Sequence, residues 1–447
     1  MNIYSWSNLD SNGRESLFLR PSDKHVDKEV VRKILLDVKE RGTEAVLRYT
    51  EDFDKVRLSD IFVEKGEISS AFDAIDSSLR LAFLQAAGNI ETFHRSQLEL
   101  VKDIKVVVES GVVCEQVSRP ISRIGIYVPG GTAPLFSTVL MLAIPARIAG
   151  CTEIVVATPP QRDGKIDPDI LAACQLSGVT EIIKVGGAQA IAALAFGGDG
   201  LLPVNKIFGP GNAWVTEAKR QVTQICPSVG CDLPAGPSEV LVLADETADA
   251  NFVVWDLLSQ AEHGADSQVL LVSTSEDKIR EVLSLLEQIV PDLDRADLVR
   301  SSLANSRAIF CENLDAAIDC SNQYGPEHLI INTKNPRDLL EKVTAAGSVF
   351  LGPWSPESVG DYASGTNHVL PTSGAAHFTG GVSLSSFLRR ITVQELSSEG
   401  LLNLASTVET MATHEGLSCH ANAVRVRRRV LENSLVVNRE KGRGSEC

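Results

Sequence analysis

The stretch Ser259-Gln260-Ala261-Glu262-His263-Gly264 closes a run that reads as a helix from Asn251 to Gln260, with Gly264 as its stop signal. On a helix Gln260 and His263 are i,i+3 neighbours, so an amide and an imidazole reach one spot beyond its end. Those two groups alone make a poor metal site, because a divalent ion needs more ligands and some negative charge. Three later stretches offer them: Pro326-Glu327-His328, the run from Gly360 and Asp361 to Asn367 and His368, and Glu415-Gly416-Leu417-Ser418-Cys419-His420. One His–carboxylate pair is more often a structural hydrogen bond than a catalytic device. Here, however, four of the eight histidines (His263, His328, His368, His420) share that setting, and three of the four settings carry the glycine or proline of a tight loop. His25, His94, His377 and His414 read as surface or core residues.

The elements that must position these groups fall into two series. After a mainly helical start (Lys28 to Tyr49, then Glu67 to Gln97 with breaks) and a predicted hairpin hinged at Ser110-Gly111, short apolar runs alternate with helix-length segments from Ile124 onward. Strands at Ile124 to Val128, Glu153 to Ala157, Glu181 to Val185 and Lys206 to Phe208 have the continuous apolar character of a parallel sheet buried on both faces. Three of them run into glycine, at Pro129-Gly130-Gly131, Gly186-Gly187 and Gly209-Pro210-Gly211-Asn212, where the ligand crevice of an open parallel sheet lies. No G-x-G-x-x-G is present, so the usual dinucleotide fingerprint is missing. A second series of strands begins at Glu239 and runs to Leu351. Beyond Val382 the pattern predicts helices at Leu384 to Phe387, Val393 to Ser397, Leu401 to Met411 and Leu417 to Leu431, a piece too small for its own core.

The fold class expected is α/β, with two doubly wound domains and smaller, mainly helical terminal segments. The boundaries expected are an N-terminal segment over 1–25, a discontinuous domain over 26–122 and 238–381, a second domain over 123–237, and a helical C-terminal segment over 382–447. A formal net charge of −16, from 42 basic and 58 acidic residues, repels a phosphate backbone and argues against nucleic acid as a partner. Nine cysteines without a CxxC pair fit a reducing cytoplasm better than a disulfide framework. The longest apolar run, Val139 to Ile148, is broken by Pro145 and Arg147, and no signal-peptide pattern opens the chain, so neither membrane insertion nor secretion is expected.

Several long motifs occur together: Ile126 to Pro134, Phe208 to Asn212, Pro234 to Val240, Leu258 to Gly264, Gly325 to Leu329, and Gly360 to Pro371. In these, and in their order, the chain resembles the histidinol dehydrogenase family over nearly its whole length. The resemblance implies oxidation of L-histidinol to L-histidine through L-histidinaldehyde with two NAD. It implies one zinc per subunit, held by Gln260, His263, Asp361 and His420, and NAD contacts from Tyr127, Gln189 and Asn212. It further implies substrate contacts from Ser238, His368 and Glu415 together with the metal ligands and His328, and proton transfers by Glu327 and His328. The family has a pair of incomplete Rossmann-like domains and forms an intertwined homodimer, which implies an NAD-binding domain over 123–237, a metal and substrate domain over 26–122 and 238–381, and a dimerisation segment over 382–447.

Chemically, the assignment is coherent. An imidazole is the natural base near neutral pH, which suits His328, and Glu327 can activate the water that adds to the aldehyde. Adjacent residues point apart on a strand, so this division needs a loop at 327 and 328, which Pro326 favours. A thioester route through a cysteine nucleophile has only Cys419 beside a motif, and its neighbour His420 would turn it elsewhere on a helix. Glu415 and His420 would diverge by about 140° on one continuous helix, so Gly416 is expected to break it. In a homodimer these two residues are expected to enter the active site of the other subunit.

Overall fold

The computed structural model describes residues 1–21, 26–130, 134–233 and 236–443, with side chains to 434. His25, Gly131 to Ala133 of the first glycine-rich loop, and Pro234-Ala235 lie outside the described residues. The chain divides into two units, one of Met1–Leu98 with Pro120–Phe387 and one of Glu99–Arg119 with Leu388–Cys447.

The first unit holds two parallel sheets. An edge strand, β1 (Asn2–Ser5), is set down at the start of the chain and waits for a partner more than 300 residues away. A hairpin of the second unit follows, β2 (Ile104–Glu109) and β3 (Val112–Pro120). The first parallel sheet comprises β4 (Arg123–Tyr127), β5 (Glu153–Thr158), β6 (Glu181–Lys184), β7 (Lys206–Phe208) and β8 (Gly230–Cys231), in the spatial order β6-β5-β4-β7-β8. The second comprises β9 (Glu239–Ala244), β10 (Gln268–Ser273), β11 (Arg307–Phe310), β12 (His328–Asn332) and β13 (Ser348–Leu351), in the order β1-β11-β10-β9-β12-β13. Each sheet therefore starts at its centre, winds one way and then returns to the other side of the starting strand. That reversal is the topological switch point of a Rossmann-like sheet, between β4 and β7 in one and between β9 and β12 in the other.

Alternation along a strand sends neighbours to opposite faces. In β9, Val240 and Val242 enter one core, with Val253, Leu257 and Val282 of the covering helices, while Leu241 and Leu243 enter another, with Trp6, Ile318 and Tyr324. All four are fully buried, each contributing about 1.5–3 kcal/mol of apolar burial. The first sheet is covered by the helices Gly187–Phe196 and Ala213–Ile225, and also by Lys28–Arg41 and Thr43–Asp54, whose Val31, Leu35 and Val46 share its core. The expected division, which joined 26–122 to the later strands, does not anticipate that packing.

At the carboxyl end of the second switch point, Asp245 accepts from the N–H of Lys334 at 2.8 Å and of Thr247 at 2.9 Å. It thereby ties the loops after β9 and β12 together. In the first sheet the corresponding end is held open by glycine. Gly209 sits at φ +113°, and a Cβ there would lie 2.1 Å from the carbonyl oxygen of Tyr127.

The second unit contains β2, β3 and β14 (Leu388–Leu396) in the order β14-β3-β2, and the helices Ser398–His414 and Ser418–Arg443. Leu388–Leu396 is thus a strand where the sequence pattern predicts a helix over 393–397. The expected break between the two last helices is present, with Gly416 at φ +75°. Among the described residues no helix is long and apolar enough to cross a membrane.

Candidate active site

The helix Leu314–Tyr324 ends on Gly325 at φ +61°, and Pro326 follows, so Glu327 stands outside β12 while His328 opens it. Freed from strand alternation, the two neighbouring side chains turn to one place, with Glu327 Oε2 3.7 Å from His328 Nδ1. One residue of the adjacent strand fixes both. The backbone N–H of Glu239 donates to Glu327 Oε2 at 2.9 Å, and its carbonyl accepts from His328 Nδ1 at 3.0 Å. A ring nitrogen facing a carbonyl must carry the proton, so the neutral His328 ring has its lone pair on Nε2. That atom is buried without a hydrogen-bond partner, 3.7 Å from Asp361 Oδ1.

Two helices bring further donors. The helix Ala250–Ala261, capped by Asp249, places Asp256 and Gln260 one turn apart on a buried face and leaves His263 just past its end. The short helix Glu357–Tyr362 places Glu357 and Asp361 at i,i+4. Gln260, 1% exposed, meets Glu357; with its amide nitrogen turned toward that carboxylate it donates at 2.7 Å. His328, Glu357 and Asp361 offer ligand atoms all within 4.8 Å of one another. His263 and His368 repeat the arrangement of His328, each giving Nδ1–H to a backbone carbonyl, Ser259 and Asp361 respectively, both at 2.9 Å. His94 makes the same bond inside a helix, with burial and that bond as the causes acting on its pKa, so the carboxylates mark the site rather than the bond.

Burial raises the pKa of Glu327 to about 8 and that of Glu357 to about 7. Asp256, with burial alone acting on it, rises to about 7. Burial works against protonated His328, while the charges of Glu327, Glu357 and Asp361 raise its pKa in the cation-free cluster; a divalent ion among those carboxylates would offset their pull and leave the ring a neutral base. Burial also pushes Asp361 up, but His328, 3.7 Å away, and the neighbouring imidazoles of His368 and His263 hold it below the ordinary carboxylate value. His368 is lowered, chiefly by burial. So many buried carboxyls call for a cation, and imidazole Nε2 atoms with oxygen donors are the chemistry of a divalent metal site. A thiolate route finds no help here, because burial pushes the thiols of Cys151 and Cys231 up to about 12 and Cys419 is exposed.

Beside this cluster lies a cavity of about 890 Å³ at the carboxyl ends of the first sheet. Tyr127, Gln189 and Asn212, all expected to touch a nucleotide, line it. Tyr127 ends β4, and its hydroxyl accepts from the Gly187 N–H at 3.2 Å; burial raises its pKa to about 12. Gln189 is 1% exposed with Oε1 unpartnered. Asn212 follows β7 and caps the helix Ala213–Ile225 through Oδ1, which accepts from the N–H of Trp214 and of Val215. His263 lines the same cavity and adds to the field at Asp361, so cavity and cluster meet there. Ser238, half-buried, precedes β9. Glu415 and His420 belong to the second unit, exposed on either side of Gly416. Glu357 and Asp256 escape sequence reasoning. Glu357 is visible only as the i,i+4 partner of Asp361, and Asp256 only as that of Gln260.

Two Rossmann-like parallel sheets, with a switch-point cavity leading to buried imidazoles and carboxylates, define an oxidoreductase. The sequence profile of the family described as histidinol dehydrogenase matches residues 20–428. Histidinol dehydrogenases of Escherichia coli and Salmonella typhimurium are 50% and 51% identical over 427 residues, 95% of this chain and 97% of each of theirs. The crystal structure of histidinol dehydrogenase from Elizabethkingia anophelis superposes with a TM-score of 0.91 at 45% identity, covering 97% of this chain and 99% of that one. The chain belongs to the histidinol dehydrogenase family.

Proposed function

We propose that the protein oxidises L-histidinol to L-histidine through L-histidinaldehyde, passing two hydrides to two NAD in succession, as the last two steps of histidine biosynthesis. The observation that carries this reading is the meeting, at His263, of a dinucleotide-sized cavity with a buried base whose Nε2 is free. Tyr127, Gln189 and Asn212 hold NAD at the switch point. In the first oxidation His328 Nε2 takes the alcohol proton while hydride leaves the carbon for NAD, giving the aldehyde. Glu327 then takes a proton from water as the water oxygen bonds the aldehyde carbon, and His328 returns its proton to the carbonyl oxygen, giving the hydrate. His328 next takes a hydroxyl proton of the hydrate as the second hydride passes to a fresh NAD, and the acid so formed loses its remaining proton to solvent as the carboxylate. Glu239 keeps both side chains aimed, through the two bonds of its own peptide groups.

The donors fit a divalent cation, and zinc suits nitrogen and oxygen ligands of this kind. Gln260, His263 and Asp361 would hold it, with the partner subunit's His420 as fourth ligand, and it would orient the substrate's amino and imidazole nitrogens. Ser238 and His368 contact the substrate from the same chain, as does Glu415 from its partner in a homodimer with shared sites. The thiols support a reducing, cytoplasmic setting, since all eight described cysteines are free. The test is NAD reduction with L-histidinol, with and without a chelator. Two NADH per histidinol are expected, lost on chelation and restored by zinc. One NADH per histidinol, or full turnover after complete metal removal, overturns the reading.

A further inference from the structure

Asp54 is the last residue of the helix Thr43–Asp54 and lines the switch-point cavity. Its Oδ2 is shut off from solvent and has no hydrogen-bond partner, which leaves Oδ1 as the oxygen that a ligand in the cavity can reach. The adjacent Lys55 does not serve it, because its ammonium group bonds the carbonyl of Asp52 at 2.7 Å. A carboxylate at a helix carboxyl terminus also faces the negative end of the helix dipole. Stability alone gives no reason for an acid there, and a deprived acid in a cavity wall marks a ligand contact. Burial raises its pKa to about 6, and its charge adds to the raised pKa of the Tyr127 hydroxyl across the same cavity.

A carboxylate accepts from hydroxyl or amino groups and repels phosphate. In a dinucleotide the neutral donors are the ribose hydroxyls, the exocyclic amine of adenine and the carboxamide of nicotinamide, and only a ribose diol carries the 2′-hydroxyl that NADP replaces with phosphate. We infer that Asp54 is a specificity residue of this cavity, accepting from a ribose diol of the dinucleotide and refusing a cofactor with a 2′-phosphate. This rests on the reading that the cavity holds NAD, and Gln189→Ala, a variant in another wall, tests that reading separately.

The experiment compares the wild type, Asp54→Asn and Gln189→Ala in steady-state kinetics with NAD, NADP and nicotinamide hypoxanthine dinucleotide, which lacks the adenine amine. Asp54→Asn should raise KM for NAD about tenfold or more, with kcat within about twofold, the size expected for one charge-assisted hydrogen bond. Its preference for NAD over NADP should narrow by a similar factor, and its loss should be the same with the hypoxanthine cofactor. If the loss vanishes with that cofactor, the acid reads adenine and the ribose assignment is overturned. If Gln189→Ala raises KM while Asp54→Asn changes neither KM nor the NADP preference, the inference fails alone. If neither substitution changes KM for NAD, the cavity reading fails with it. An unchanged melting temperature for Asp54→Asn separates these outcomes from misfolding.

Discussion

A carboxyl group deprived of water holds its proton unless a cation stays beside it, and Asp256 is the simplest case in this molecule. It is 7% exposed, and burial moves it from an ordinary value of 3.8 to about 7. Between those values the native state binds more protons than the unfolded chain, so stability falls as pH rises through the window and levels off above it. Asp256→Asn removes that dependence. In metal-stripped protein the variant should match the wild type near about pH 4 and be the more stable at about pH 8, by an amount on the order of a few kcal/mol. Thermal unfolding of both proteins across that range checks it; parallel curves would mean Asp256 is charged and compensated in the native state. At this scale the sequence reveals residues whose loops are marked by glycine or proline, such as His263, Glu327 and His368. It conceals Asp256 and Glu357, because an acid inside a helix or at its first turn looks like any solvated one until the fold buries it.

Elements were legible where burial writes a continuous apolar run, as in β4, β5, β9 and β10. They were illegible where a partner far along the chain decides. Leu388–Leu396 is exposed along most of its length and is a strand because β3 lies beside it. The helices over 28–54 carry ordinary amphipathic patterns that do not say which sheet they cover. Two glycines show how far local backbone can be pushed. Gly209 has both a positive φ and the Tyr127 carbonyl where a side chain would go, whereas Gly416 has a positive φ with nothing within 4 Å. Gly416→Ala should therefore cost about 1 kcal/mol of strain. Gly209→Ala must push the loop from Gly209 to Asn212 away from the Tyr127 carbonyl, and should lower the melting temperature by several degrees and raise KM for NAD at least about tenfold. Equal, small effects of the two substitutions would show that the loop yields freely.

At the scale of the whole molecule the second unit is the incomplete part. Its helices bury Ala405, Ala412 and Ala421 but expose Met411, Val426 and Val430, as the turn between them exposes Leu417, a poor core for a freestanding piece. A second copy of the chain as its cover accords with the proposed shared site. Mixing inactive His263→Ala and His420→Ala protomers under exchange distinguishes the arrangements. With shared sites each heterodimer has one doubly damaged site and one intact site, so about a quarter of wild-type activity returns after random exchange. With each site built from one chain, none returns.

The clamp on Glu327 and His328 also has a bearing on when the protein can first act. Glu239, whose peptide groups hold both residues, is itself gripped by Arg20, Nε to Oε1 at 2.5 Å and Nη2 to Oε2 at 3.1 Å, and by the N–H of Ser373 at 2.8 Å. Arg20 reaches onward to the carbonyl of Tyr324, 304 residues further along the chain. On the ribosome, the first of these residues emerges long before the last. A nascent chain therefore carries its base and its acid without the whole clamp until Ser373 has emerged.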